Sequence, residues 1–201
     1  MKNTILLLFA LLLFCSNGMA QVSASTPPRH GSWVKIKVQQ TGKYLSVANG
    51  SKENGARIVQ WDDVNQKNQK FQVQKNEDGS YSFFAAHSGK SICADKGDNR
   101  EGDLIIQNTL SQYFGKWQLQ WMNNCGQGFK MLYKSTSGKP LQVTGVNAGD
   151  GCQLIEPQYH DGDTDCPYVY LFEPVDAPLL LKEEAIKTQV KPNGTIKKGN
   201  N

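Results

Sequence analysis

The chain lacks a hydrophobic run long enough to cross a membrane. Its longest apolar stretch, Ile5 to Phe14, is ten residues, about half of the roughly 20 a spanning helix requires, so no membrane insertion is expected. Histidine is scarce: His30, His87 and His160 are the only three. None stands in a nucleophile, zinc or acid–base motif, so no catalytic residues and no enzyme are expected. The adjacent carboxylates Asp62 and Asp63 do not alter this, because neighbouring residues in a strand or turn point in different directions. An excess of one charge is also missing from the body of the chain. Between Gln21 and Asp176 there are 16 basic and 16 acidic residues, which leaves no electrostatic footprint for nucleic acid. The formal charge of +4 belongs to Lys2 and to a tail with five lysines against two glutamates. Metal and cofactor motifs are absent as well. The alternating Asp161, Asp163 and Asp165 resemble the start of a calcium loop, but Cys166 and Phe172 stand where a glycine and a bidentate glutamate belong.

What the ends contain is informative. Lys2, the apolar run and a polar stretch closing on Gly18-Met19-Ala20 have the three parts of a secretory signal peptide over residues 1–20. The expected mature chain starts at Gln21 and is secreted, either extracellular or, from a bacterial source, periplasmic. Four of the five cysteines then remain: Cys93, Cys125, Cys152 and Cys166. An even number in an exported chain suggests two disulfides with three possible connectivities. The short loop favours Cys152 with Cys166, leaving Cys93 with Cys125, and four buried thiols are the alternative. Residues 21–32, rich in Ser, Pro and Gly, read as a disordered leader. Leu179 to Val190 has spacing for two or three helical turns within a basic tail over residues 177–201, and a floppy extension is the competing reading.

The body, residues 33–176, repeats itself three times. Gly42-Lys43 is followed by Leu45 and Val47, Gly89-Lys90 by Ile92 and Ala94, and Gly138-Lys139 by Leu141 and Val143. Thirteen residues after each glycine come Gly55, Gly102 and Gly151, and five further on Gln60, Gln107 and Glu156. A period of 47 to 49 residues signals a closed or stacked repeat architecture. No helical periodicity occurs from Val34 to Pro174. Short β-prone stretches between turn residues predict four strands per repeat. They are 33–38, 44–48, 57–61 and 71–74, then 81–85, 91–94, 104–107 and 116–121, then 129–133, 141–144, 153–156 and 169–172. The fold class expected is all-β.

Each repeat closes on an aromatic: Gln69-Lys70-Phe71, Gly115-Lys116-Trp117 and Tyr170-Leu171-Phe172. With the Gly-Lys, Leu-x-Val and Gly-x-x-x-x-Gln marks, residues 33–176 resemble the ricin B-type β-trefoil lectin family. The resemblance implies a six-stranded barrel capped by three hairpins, with one potential sugar site per repeat. It implies a structural role for Gln69 toward the backbone and core roles for Phe71, Trp117 and Phe172, joined by Leu45, Ile92 and Leu141. Glycans or glycoconjugates are the implied partners. A trefoil acting as a protein-interaction or inhibitor module through its hairpins and the 152–166 loop is the alternative.

In this family an acidic residue beside the Leu-x-Val strand and an asparagine ahead of the closing signature bond sugar hydroxyls, while an aromatic ring stacks on the apolar sugar face. The first repeat is the best match, with Trp61 as the ring and Asn68 beside Gln69. Ser46 stands where the family often has Asp, and Asp62 or Asp63 is the candidate substitute carboxylate. The second repeat offers Asn108, Cys93 and Phe114 at these positions, with Asp95 close by. The third offers Pro157, Gln142 and Val169, with Tyr159 as a substitute ring. The expected carbohydrate-binding residues are therefore Ser46, Trp61, Asp62 and Asn68.

Overall fold

The computed structural model describes residues 26–96, 104–109, 115–123, 126–134, 140–143, 154–155 and 168–177. The expected signal peptide, nearly all of the basic tail, Cys125, Cys152, Cys166, Phe114, Pro157 and Tyr159 lie outside the described residues. Twelve strands are present among those described, four to each repeat. The first repeat contains β1 (Trp33–Val38), β2 (Tyr44–Val47), β3 (Ile58–Trp61) and β4 (Phe71–Lys75). The second contains β5 (Tyr81–Ala85), β6 (Ser91–Ala94), β7 (Ile105–Asn108) and β8 (Trp117–Met122). The third contains β9 (Gly128–Tyr133), β10 (Gln142–Val143), β11 (Leu154–Ile155) and β12 (Tyr170–Val175).

The first and last strands of each repeat pair antiparallel with one another and with those of the next repeat. β1 pairs with β4, β4 with β5, β5 with β8, β8 with β9, β9 with β12, and β12 returns to β1. That closed circuit is a six-stranded barrel, which leaves no unpaired barrel edge for another chain to extend. The middle strands form three hairpins, β2–β3, β6–β7 and β10–β11. The recurrent glycines have a conformational reason. Gly42 and Gly89 sit at φ 72° and 69°, where a side chain is disfavoured. From there their amides bond the carbonyls of Val38 and Ala85, each at 2.8 Å. The residue before each glycine adds a second tie. Thr41 donates to Gln60 Oε1 at 2.8 Å, and Ser88 donates to Gln107 Oε1 at 2.7 Å. The repeated polar residue at the end of the third strand therefore locks the hairpin entrance from inside the fold, where Gln60 and Gln107 are fully buried.

The barrel register corrects one expected alignment. Val34 lies opposite Phe71, Tyr81 opposite Trp117, and Phe129 opposite Tyr170. The closing aromatics are thus Phe71, Trp117 and Tyr170, all fully buried, and Leu45, Ile92 and Leu141 are buried with them. The indole N–H of Trp117 donates to the Ile92 carbonyl, and the Tyr170 hydroxyl donates to that of Leu141. Phe172, expected in that layer, is one step further along its strand, at the level of Val73 and Leu119. It is only partly buried and stacks on Phe83 with centroids 5.4 Å apart. By the same register Tyr168, not Tyr170, occupies the position of Gln69. Three aromatics stand at alternate positions in this stretch of sequence, so the pattern alone did not choose among them.

Two further expectations change. Residues 29–32, read as the end of a leader, are tied to β4: Gly31 donates to the Val73 carbonyl, Val73 to Ser32, and the Lys75 amide to His30 Nδ1. Past Phe71 the β4 backbone needs partners, and the chain entering β1 supplies them. Cys93 is a free, buried thiol on β6 rather than half of a bridge to Cys125. It lies opposite Ile106, and burial, with a smaller contribution from Asp95, pushes its thiol up to about 12. Alkylation of Cys93 in the native protein at neutral pH, followed on its own peptide by mass spectrometry, is expected to be on the order of a hundredfold slower than in denaturant.

Candidate functional site

The pleat of the first hairpin sorts its side chains onto two faces. Leu45 lies opposite Gln60 and Val47 opposite Ile58, and all four are buried toward the core. Ser46 opposite Val59, and Tyr44 opposite Trp61, belong to the other face. There Ser46, Val59 and Trp61 line an open pocket of about 560 Å³ together with Asn68, Val64 and Arg57. This volume lies within the ~300–1,000 Å³ common for small-molecule sites.

Asn68 belongs to a single 3-10 turn, Lys67–Gln69, that the chain lays against β2. Its carboxamide nitrogen donates to Ser46 Oγ and to the Val47 carbonyl, both at 3.0 Å. Its Oδ1 is buried without a hydrogen-bond partner. Because Ser46 accepts from Asn68, the serine hydroxyl proton remains for a further acceptor. Gln69 bonds only backbone in this loop: its Nε2 donates to the Asp62 carbonyl at 2.7 Å, and its Oε1 accepts from the Val64 amide at 3.0 Å. Gln69 is fully buried, so Gln69→Leu is expected to cost about 1–2 kcal/mol, measured as a lower urea midpoint.

Trp61 ends β3 and is 42% exposed, while Val64 in the following loop is 46% exposed. They are the large hydrophobic side chains left exposed among the described residues, and both lie at this pocket. Ser46, Trp61 and Asn68 are therefore brought together as the sequence suggested. Asp62 is not: its carboxylate pairs with Lys43 at 2.6 Å across the hairpin. Asp63 pairs with Lys35, whose hydrogen bond chiefly holds the carboxyl below the usual carboxylate range. Neither acid lines the pocket. Arg57, Asn49 and Gln66 do, and sequence reasoning missed them. Arg57 was detectable in principle, since 57, 59 and 61 share a strand face.

In the second repeat the equivalent of Ser46 is Cys93, and Asn108, half-exposed and opposite Ser91, takes the place of Trp61. No ring is presented there by those two positions. In the third repeat Gln142 lies opposite Ile155 at the corresponding register. His87 lies in the turn between β5 and β6, with Nε2 2.8 Å from the Ser51 carbonyl. Burial is the main cause that lowers its pKa.

A six-stranded barrel with three capping hairpins, built from one unit repeated three times, defines a β-trefoil. Residues 21–108 match the family described as ricin-type beta-trefoil lectin domain-like, so this stretch of the chain is similar to that family. Solved structures agree on the fold. A designed 3-fold symmetric protein, ThreeFoil, is 28% identical with a TM-score of 0.60, over 72% of this chain and 98% of that one. The Macrolepiota procera ricin B-like lectin in complex with lactose is 13% identical with a TM-score of 0.60, over 74% of this chain and 99% of that one. The exo-beta-1,3-galactanase 1,3Gal43A from Clostridium thermocellum is 22% identical with a TM-score of 0.60, over 72% of this chain but only 30% of the enzyme. No curated protein matches the chain.

Proposed function

We propose that the protein is a secreted, non-catalytic carbohydrate-binding module whose sugar site is the first-repeat pocket. The observation that carries this reading is the gathering of the exposed Trp61 ring and the bonded pair Ser46 and Asn68 in one pocket. A pyranose has an apolar C–H face that a flat ring covers, and hydroxyls that need fixed polar partners at its edge. The lactose held by the Macrolepiota procera lectin supports a glycan as the ligand class. Among the described residues the lining offers a hydroxyl, amides, a guanidinium and a ring, but no carboxylate or imidazole, a set suited to holding a sugar rather than to moving its protons. The three-part leader at residues 1–20 supports export.

A glycan array probed with the chain from Gln21 tests this reading. Binding to at least one glycan family is expected, and a blank array with correctly folded protein would sink it.

A further inference from the structure

The first-repeat pocket has a charge that the lectin reading by itself does not require. Among the described residues that line it, Arg57 is the one with an ionisable side chain. The two acids that follow Trp61 do not offset it, because Asp62 is paired with Lys43 and Asp63 with Lys35. Arg57 is held firmly at the backbone: its carbonyl accepts from the Ala48 amide at 2.9 Å, and it forms a bridge with Ile106. Its side chain is exposed, and by strand alternation it belongs to the face of Val59 and Trp61. Four residues of extended chain separate the Cα atoms of Arg57 and Trp61 by about 13 Å, and both side chains line the pocket.

We propose that this site selects acidic sugars, those bearing a carboxylate or a sulfate, with the guanidinium of Arg57 taking the anionic group while Trp61 covers the ring. The inference rests on the carbohydrate-binding reading and adds the substrate class. Guanidinium presents paired N–H donors that match the oxygens of a carboxylate or sulfate, and charge-assisted bonds are about twice as strong as neutral ones. A neutral sugar would leave Arg57 with only hydroxyls to bond. Ser46 and Asn68 serve either kind of sugar, so Arg57 is a specificity residue.

The test is an NMR titration of the tryptophan indole N–H signals with six probes: methyl galactoside, methyl galacturonide and methyl galactoside 6-sulfate, and the three matching gluco compounds. The acidic member of a set is expected to bind about fivefold more tightly than its neutral counterpart at low salt, with the difference shrinking at high salt. The uronate and sulfate arms show which anion is preferred. Arg57→Gln is expected to erase the roughly fivefold gap between the acidic and neutral probes, whereas Arg57→Lys retains part of the preference. Neutral probes binding as tightly as both acidic ones would overturn the acidic-sugar inference and leave the lectin reading standing. No response to any probe, together with a blank array, would overturn both.

Discussion

Replacing Trp61 with alanine is expected to weaken glycan binding about tenfold while the melting temperature moves by only a few degrees. The reasoning starts from exposure. The ring is 42% exposed in the free protein, so a sugar that covers it removes apolar surface from water that the fold itself has left open. Burying about half of a large side chain is worth about 1–1.5 kcal/mol, which is close to a tenfold change in Kd. Stability depends less on Trp61, because it ends β3 and points away from the core occupied by Ile58 and Gln60. Isothermal titration with the tightest glycan from the array, beside a thermal melt of both proteins, checks the two halves together. Unchanged affinity in the folded variant would place the sugar elsewhere on the molecule.

Trp117→Ala has the opposite signature, with the fold lost before any question of binding arises. Trp117 is 1% exposed, its ring packs against Tyr133 at 5.6 Å, and its indole nitrogen donates to the Ile92 carbonyl at 3.2 Å. Truncating a buried tryptophan costs about 3–5 kcal/mol, against a total of about 5–15 kcal/mol for a domain. A urea midpoint lowered by half, or a chain already unfolded at 37 °C, is the expected result. Tyr170→Phe isolates the polar part in the third repeat. It keeps the ring and removes the hydroxyl bond to Leu141, and is expected to cost about 1–2 kcal/mol. A Trp117→Ala variant with an unchanged midpoint would show that the barrel closes without this layer.

The twelve strands were legible because each is a short β-prone stretch bounded by turn residues, and both signals are local. The hairpin glycines were legible for the same reason, since the need for positive φ at Gly42 and Gly89 is met by residue type. The third closing aromatic was not. Tyr168, Tyr170 and Phe172 stand at alternate positions in the sequence, and only the pairing of Tyr170 with Phe129 on a neighbouring strand decides which one enters the layer of Phe71 and Trp117. Cys93 was misread on the same ground. Cysteine parity suggested a bridge, whereas the register places this thiol opposite Ile106 inside the second hairpin.

The candidate site divides in the same way. Trp61, Ser46 and Asn68 were found by position within the repeat, and the fold brings them to one pocket. The fates of Asp62 and Asp63 were hidden, because each is set by a lysine 19 or 28 residues away in the chain. By itself the sequence determined the repeat, the strands and the residue types at each turn, since these follow from short-range periodicity and backbone preference. Tertiary structure alone decided that Asp62 and Asp63 pair with lysines, that Cys93 is a buried free thiol, and that Arg57 is the charged side chain among the described residues lining the pocket. Those outcomes depend on side chains meeting across strands, and a separation along the chain carries no record of which face or which partner closes the distance.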